Sequence, residues 1–283
     1  MKRTNLVVVC LVAAPLLGYV VHANFSGQVE DATTRTAFYE PVAVDPQSVT
    51  GADEMEELAK SDVIGFFDAC LERYRKEVQG YHCIMHKHER IGGKLNKPEE
   101  MEVFFRESPH SVLLIWRKNP RLAERTLYVE GQNKNKILVR PNGGIRRLAA
   151  GDIVERDVAG DDAKQSGRST LDQFGMKKIL ERSRDSWKAA KENGTLKVTY
   201  KGIERVPQVN NRPCYHLHRI YAKPENDGVM AQAVYIDTET LLLVGSRSHN
   251  KQGGLIGEYF FRDIKLNPEF KAEQFTRDAL SPD

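Results

Sequence analysis

The feature that most constrains this chain is a series of short alternating runs, each closed by a turn of only a few residues. Glu100–Glu107, His110–Lys118, Arg125–Glu130 and Lys136–Arg140 are separated by Ser108-Pro109, Asn119-Pro120 and Gly131-Gln132-Asn133. The later runs are Leu196–Val206, Arg212–Ala222, Val229–Asp237, Leu241–His249 and Ile256–Leu266. Period-two alternation bounded by Gly, Pro and Asn predicts strands. Parallel neighbours need crossovers of a dozen residues or more, so these strands pair antiparallel. Tyr81–Leu95 (YHCIMHKHERIGGKL) opens the series: Gly92-Gly93 supplies the positive φ of a two-residue hairpin turn and sets a register.

Two stretches carry helical periodicity instead. In Asp53–Gln79, Val63, Phe66, Phe67, Cys70, Tyr74 and Val78 recur at three- and four-residue spacing, with Ser61 able to cap the second half. Leu171–Lys191 presents Leu171, Phe174, Ile179, Leu180 and Trp187 on one face, with Thr170 or Asp172 as a cap and Asn193-Gly194 as a stop. Arg146–Ser169 is polar and aperiodic; it reads as a surface loop with one short strand at Ile153–Val158. The expected fold class is α+β: a curved antiparallel sheet of about ten or eleven strands, a half-barrel, with two main helices packed on it.

The N-terminus reads as an export signal over residues 1–23: Lys2-Arg3, an uncharged apolar run Leu6–Val21, then Val21-His22-Ala23. Cleavage and retention as an anchor are both open, and retention would make any membrane association run through that segment. Residues 24–52, with Pro41, Pro46 and no sustained period, read as a disordered linker, leaving 53–283 as one half-barrel domain. Export to the periplasm or cell envelope places Cys70, Cys83 and Cys214 in an oxidising compartment. Cys83 and Cys214 lie in strand runs far apart, so either they form a disulfide or all three thiols are small core residues.

Forty-two Lys and Arg against 39 Asp and Glu give +3, too balanced for a nucleic-acid binder that neutralises many phosphates. Two histidine pairs, His86 with His88 and His216 with His218, have the two-residue spacing of strand ligands and form the metal hypothesis; histidines on a solvated strand face are the competing reading. No cofactor motif or catalytic residue emerges. The Gly-Gly dipeptides join strand to strand, as phosphate loops do not, and no G-x-S-x-G elbow is present. Val112, Leu114 and Trp116 alternate with Leu113 and Ile115, and Phe104 precedes Phe105, so these strands are apolar on both sides. Phe104, Val112, Leu114 and Trp116 are accordingly candidate lining for an apolar ligand, with a double-sided core as the other reading.

Glu89-Arg90-Ile91-Gly92-Gly93-Lys94-Leu95, Leu127-Tyr128-Val129-Glu130-Gly131 and Tyr259-Phe260-Phe261-Arg262-Asp263 together resemble an uncharacterised family of secreted bacterial proteins, domain of unknown function fifteen seventy-one. The resemblance spans roughly Phe66 to Phe275. That family is similar in architecture to the lipoprotein-localisation carriers, which implies a sheet curved around acyl chains and an exported, non-enzymatic protein binding a lipid, acyl chain or lipoprotein. The alternatives are an interaction domain of the envelope and a zinc-dependent enzyme using the paired histidines.

Overall fold

The computed structural model describes residues 48–144, 151–225 and 227–281; the expected signal segment and most of the expected linker lie outside these residues. Among these residues, twelve strands form one antiparallel sheet: β1 (Gly80–Ile91), β2 (Lys94–Leu95), β3 (Glu99–Arg106), β4 (Ser111–Lys118), β5 (Ala123–Val129), β6 (Lys136–Pro141), β7 (Val154–Asp157), β8 (Lys197–Val206), β9 (Arg212–Glu225), β10 (Val229–Asp237), β11 (Leu243–Asn250) and β12 (Leu255–Leu266). The spatial order is β7-β6-β5-β4-β3-β1-β12-β11-β10-β9-β8, with β2 paired to β1. Two meanders, β3–β7 and β8–β12, are therefore joined by β1, which pairs with β3 on one side and with the last strand on the other. The Gly92-Gly93 turn has the expected positive φ at both residues, 56° and 80°. The half-barrel class stands.

Among the described residues, four helices accompany the sheet: α1 (Ser48–Ser61), α2 (Val63–Glu77), the short α3 (Asp161–Ser166) and α4 (Met176–Glu192). The single helix expected over Asp53–Gln79 is two, because Asp62 leaves the helical region (φ −141°, ψ 82°). The second starts later than the Leu171 periodicity suggests. Leu171–Gln173 is a separate 3₁₀ turn, and Gly175 takes φ 121° with its backbone so near Phe105 that a Cβ would stand 2.9 Å from the ring. Only glycine combines that φ with that approach.

Strand alternation gives the sheet two faces with different coverings. On the inner face, α1, α2 and α4 bury Phe66, Phe67, Leu180 and Trp187 against Tyr215, Leu217, Val234 and Ile236 of β9 and β10. Phe67 and Trp187 rings lie 4.9 Å apart. On the outer face of β3–β6, the C-terminal segment lays Phe270, Phe275 and Leu280 over Phe104, Leu113, Leu127 and Leu138. This explains the two-sided apolarity of β4, since each of its faces meets a different layer.

Candidate functional site

Helices fill the inner face over much of β8–β11 and, through Tyr74 and Met176, meet Tyr81 and Phe105 at one end of β1 and β3. Further along the strands, from β9–β12 across β1 to β3–β7, the same face borders a cavity of about 990 Å³, roofed by α4 and by the segment from α3 through Phe174. From residue 151 onward, the stretch read as a surface loop is more than surface: β7 is where the short strand is expected, but α3 was not foreseen, and Gln165–Thr170 form cavity wall. From α4, Ile179, Arg182, Ser183 and Ser186 line the space. Their spacing is that of one helical face.

Register arranges the inner face in rows of graded polarity. One row runs Phe261, Met85, Met101, Trp116 and is apolar apart from the Trp116 indole N–H. The next runs Ser246, Tyr259, Lys87, Glu99. The third runs Arg219, Gln232, Ser248, Gly257, Glu89. The cavity therefore has an apolar floor along one row and a polar flank two residues further along the strands.

Lys87, Glu89 and Glu99 in that flank are buried and paired. Lys87 is 8% exposed, Glu89 4% and Glu99 7%. Lys87 Nζ lies 2.9 Å from Glu99 Oε2 and 3.6 Å from Glu89 Oε2, and Trp116 Nε1 donates to Glu99 Oε1 at 2.9 Å. Glu89 Oε1 accepts from the Arg168 amide at 3.2 Å and from the Tyr259 hydroxyl. Burial and the Glu89 carboxylate push the Tyr259 hydroxyl well above the ordinary tyrosine pKa, so it stays a donor. Such charges persist away from water only with partners of this kind.

The apolar candidates divide between the two faces. Leu114 and Trp116 line the cavity. Val112 lies on the same face but is packed in the core with Phe105 and Tyr81. Phe104 lies on the outer face, stacked on His82 with ring centroids 4.5 Å apart, because it alternates with Phe105. Lining residues absent from the sequence reading, Lys87, Glu89, Tyr259 and Arg182 among them, carried one readable signal: Lys87 and Glu89 continue the alternation of Tyr81, Cys83 and Met85.

His86, His88, His216 and His218 all face outward, in two matched rows. One row is His216, Tyr235, Gly245, Phe260, His86 and the other His218, Ala233, Arg247, Glu258, His88. Each pair is four strand spacings from the other, ~19 Å along the sheet, so they do not share a site. His86 Nε2 meets Glu258 at 3.0 Å, His88 Nε2 meets the Asn96 carbonyl at 2.8 Å, and His216 Nδ1 meets Glu204 at 2.8 Å. Burial lowers the pKa of His216 and His218. Among the described residues no three His, Cys, Asp or Glu side chains are grouped to hold a metal.

Cys83 and Cys214 are free, buried thiols, as is Cys70. They stand on β1 and β9, with β12, β11 and β10 between, and alternation puts Cys83 on the face of Met85 and Cys214 on the face of His216. The bridge considered from the sequence is not formed, since bonded cysteines need Cα atoms within about 7 Å.

An open antiparallel half-barrel with helices over part of its inner face and a cavity over the rest defines the class of protein. The chain belongs to the family described as protein of unknown function (DUF1571), whose model matches residues 78–281. No curated protein matches it. Solved structures with similar folds include MucB of Pseudomonas aeruginosa in complex with MucA (15% identity, TM-score 0.44, 78% of this chain and 62% of that one). A LolA superfamily protein of Nitrosomonas europaea matches at 8% identity and TM-score 0.34, over 75% of this chain and 98% of that one. The lipoprotein LppX of Mycobacterium tuberculosis matches at 12% identity and TM-score 0.38, over 72% and 98%. Among the described residues no helix is long and apolar enough to cross a membrane.

Proposed function

We propose that this chain is an exported, non-enzymatic binding protein of the cell envelope that shelters an acyl chain, free or attached to a lipoprotein, inside the curve of its sheet. The observation that carries the reading is the cavity of about 990 Å³ with Met85, Met101, Leu114 and Phe261 along its floor. Covering such a floor with an acyl chain removes apolar surface from water on both partners, at about 0.8 kcal/mol per methylene. Its size is that of sites that enclose a small apolar ligand. The signal-like N-terminus, Lys2-Arg3 followed by Leu6–Val21, supports delivery to the envelope, where acylated molecules are at hand. Any membrane contact in this reading is transient or runs through a retained N-terminal segment.

Native mass spectrometry of protein purified from its own envelope, with extraction and identification of bound lipid, tests the proposal. The expected result is an acyl-bearing species released on denaturation, together with saturable uptake of a fluorescent fatty acid by the delipidated protein. Protein that carries no such species and takes up no probe would overturn it.

A further inference from the structure

Building on the acyl-binding reading, we propose that the cavity selects an amphiphile with a single anionic head, a carboxylate or a phosphate, which docks on Arg182 beside the Ser183 and Ser186 hydroxyls. Pairing separates the acids at this end of the cavity from two arginines, Arg182 on its wall and Arg219 buried behind it. The acids are engaged: Glu99 by Lys87, Glu89 by Tyr259, Lys87 and the Arg168 amide, and Asp227 by Arg168 at 3.3 Å. Glu225, the last residue of β9, also lines the cavity. Arg182 and Arg219 have no carboxylate partner among the described residues.

Arg182 is solvent-exposed on the cavity wall and donates one hydrogen bond, to the Gln173 carbonyl at 2.8 Å. The protein around it desolvates the guanidinium and lowers its pKa, an effect that an anion in contact would reverse. Arg219 is 3% exposed, a cation inside the protein whose Nε has no hydrogen-bond partner. Its guanidinium lies 4.0 Å from the Tyr221 ring centroid, and its Nη1 donates to Ser186 Oγ at 2.8 Å. Ser186, one helical turn from Arg182 on the same face of α4, thereby links the buried cation to the cavity. A buried positive charge without an anion is costly, and an anionic head at Ser186 would offset it while its tail follows the inner face toward Met85 and Trp116.

The experiment is competitive displacement of a fluorescent probe by three ligands of equal chain length, each below its micellar concentration: a fatty acid, an alkyl phosphate and a fatty alcohol. At least one anion should bind roughly ten- to hundredfold more tightly than the alcohol, as a charge-assisted contact allows. The two anionic arms distinguish a free acid from a phosphate head. Arg182→Gln should weaken the favoured anion far more than the alcohol and bring the two to comparable affinity. Alcohol binding as tight as both anions, or equal weakening of all three by R182Q, would overturn head-group selection and leave acyl binding standing. Failure of all three to bind would remove both readings.

Discussion

Filling the cavity from its floor separates ligand binding from folding. Val139 on β6 lies opposite Thr126 on one side and Val154 on the other, and all three line the cavity. Val139→Trp places an indole in space that an acyl chain would occupy, on a strand position suited to aromatic residues. An indole displaces roughly three or four methylenes of the chain, and at about 0.8 kcal/mol each the ligand loses on the order of 3 kcal/mol, more than a hundredfold in Kd. The protein itself is not weakened, because the added ring enters existing space without forcing packed neighbours apart; its own burial contributes about 1–2 kcal/mol in the opposite direction. The assay is fluorescent fatty-acid displacement over a homologous series of chain lengths, with urea unfolding of the same preparations. In the parent, affinity should rise about fourfold per methylene until the cavity is full. In V139W the rise should stop several carbons earlier, while the unfolding midpoint stays level or increases. A variant that folds normally and keeps both the parent affinity and the parent chain-length slope would show that the chain does not lie over this floor.

Three further outcomes follow from the packing. Phe104→Ala on the outer face should cost about 2 kcal/mol in denaturant unfolding, less than a fully buried Phe because Phe104 is half-buried, and leave ligand affinity unchanged, whereas Trp116→Ala should weaken binding; a loss of affinity in F104A protein that is still folded would contradict the assignment of faces. Thr126 Oγ1 is buried without a hydrogen-bond partner, so Thr126→Val should stabilise the fold by about 1 kcal/mol, read as a higher urea midpoint at constant slope. The Glu258 carboxyl is held down to about 2 by the His86 hydrogen bond, and further by Arg247, against an ordinary 4.5. A depressed carboxylate stabilises the fold above its unfolded pKa and loses that contribution as pH falls through the folded one; Glu258→Gln should therefore cost about 3 kcal/mol at neutral pH, with the difference from the parent vanishing near pH 2. An equal difference at both ends of a pH series of unfolding curves would contradict this.

Strand runs, turns and helix faces were legible because each is written within a few residues. Gly92-Gly93 announces its turn, and Val229–Asp237 as read from alternation is β10 to the residue. The joining of the meanders through β1 was not legible, since the pairing of β1 with β12 joins segments about 170 residues apart, such as His86 with Phe260. Without that pairing, His86-His88 and His216-His218 look like two halves of one site; with it they become the ends of two long rows. The helix break at Asp62 was equally hidden, because the apolar spacing continues through it and the change lies in one residue's φ and ψ. Alternation separates Phe104 from Phe105, but it does not say which face the helices take, so Phe104 was grouped with Leu114 and Trp116.

Lys87 and Glu89 show why the position of the charges matters as much as the apolar floor. A protein that needed only a core could place Val or Leu where Lys87, Glu89 and Glu99 stand, and replacing a buried ion pair by packed apolar residues is often neutral or stabilising. Retaining three buried charges beside an apolar floor gives the inner face a direction along the strands, with apolar atoms at Met85 and Met101 and hydrogen-bonding groups two residues on. A symmetric apolar cavity would accept a chain in either sense. This one presents its hydroxyls and guanidinium groups along one flank, so a ligand with unlike ends has one favourable orientation, and the register that joins β1 to β12 determines which.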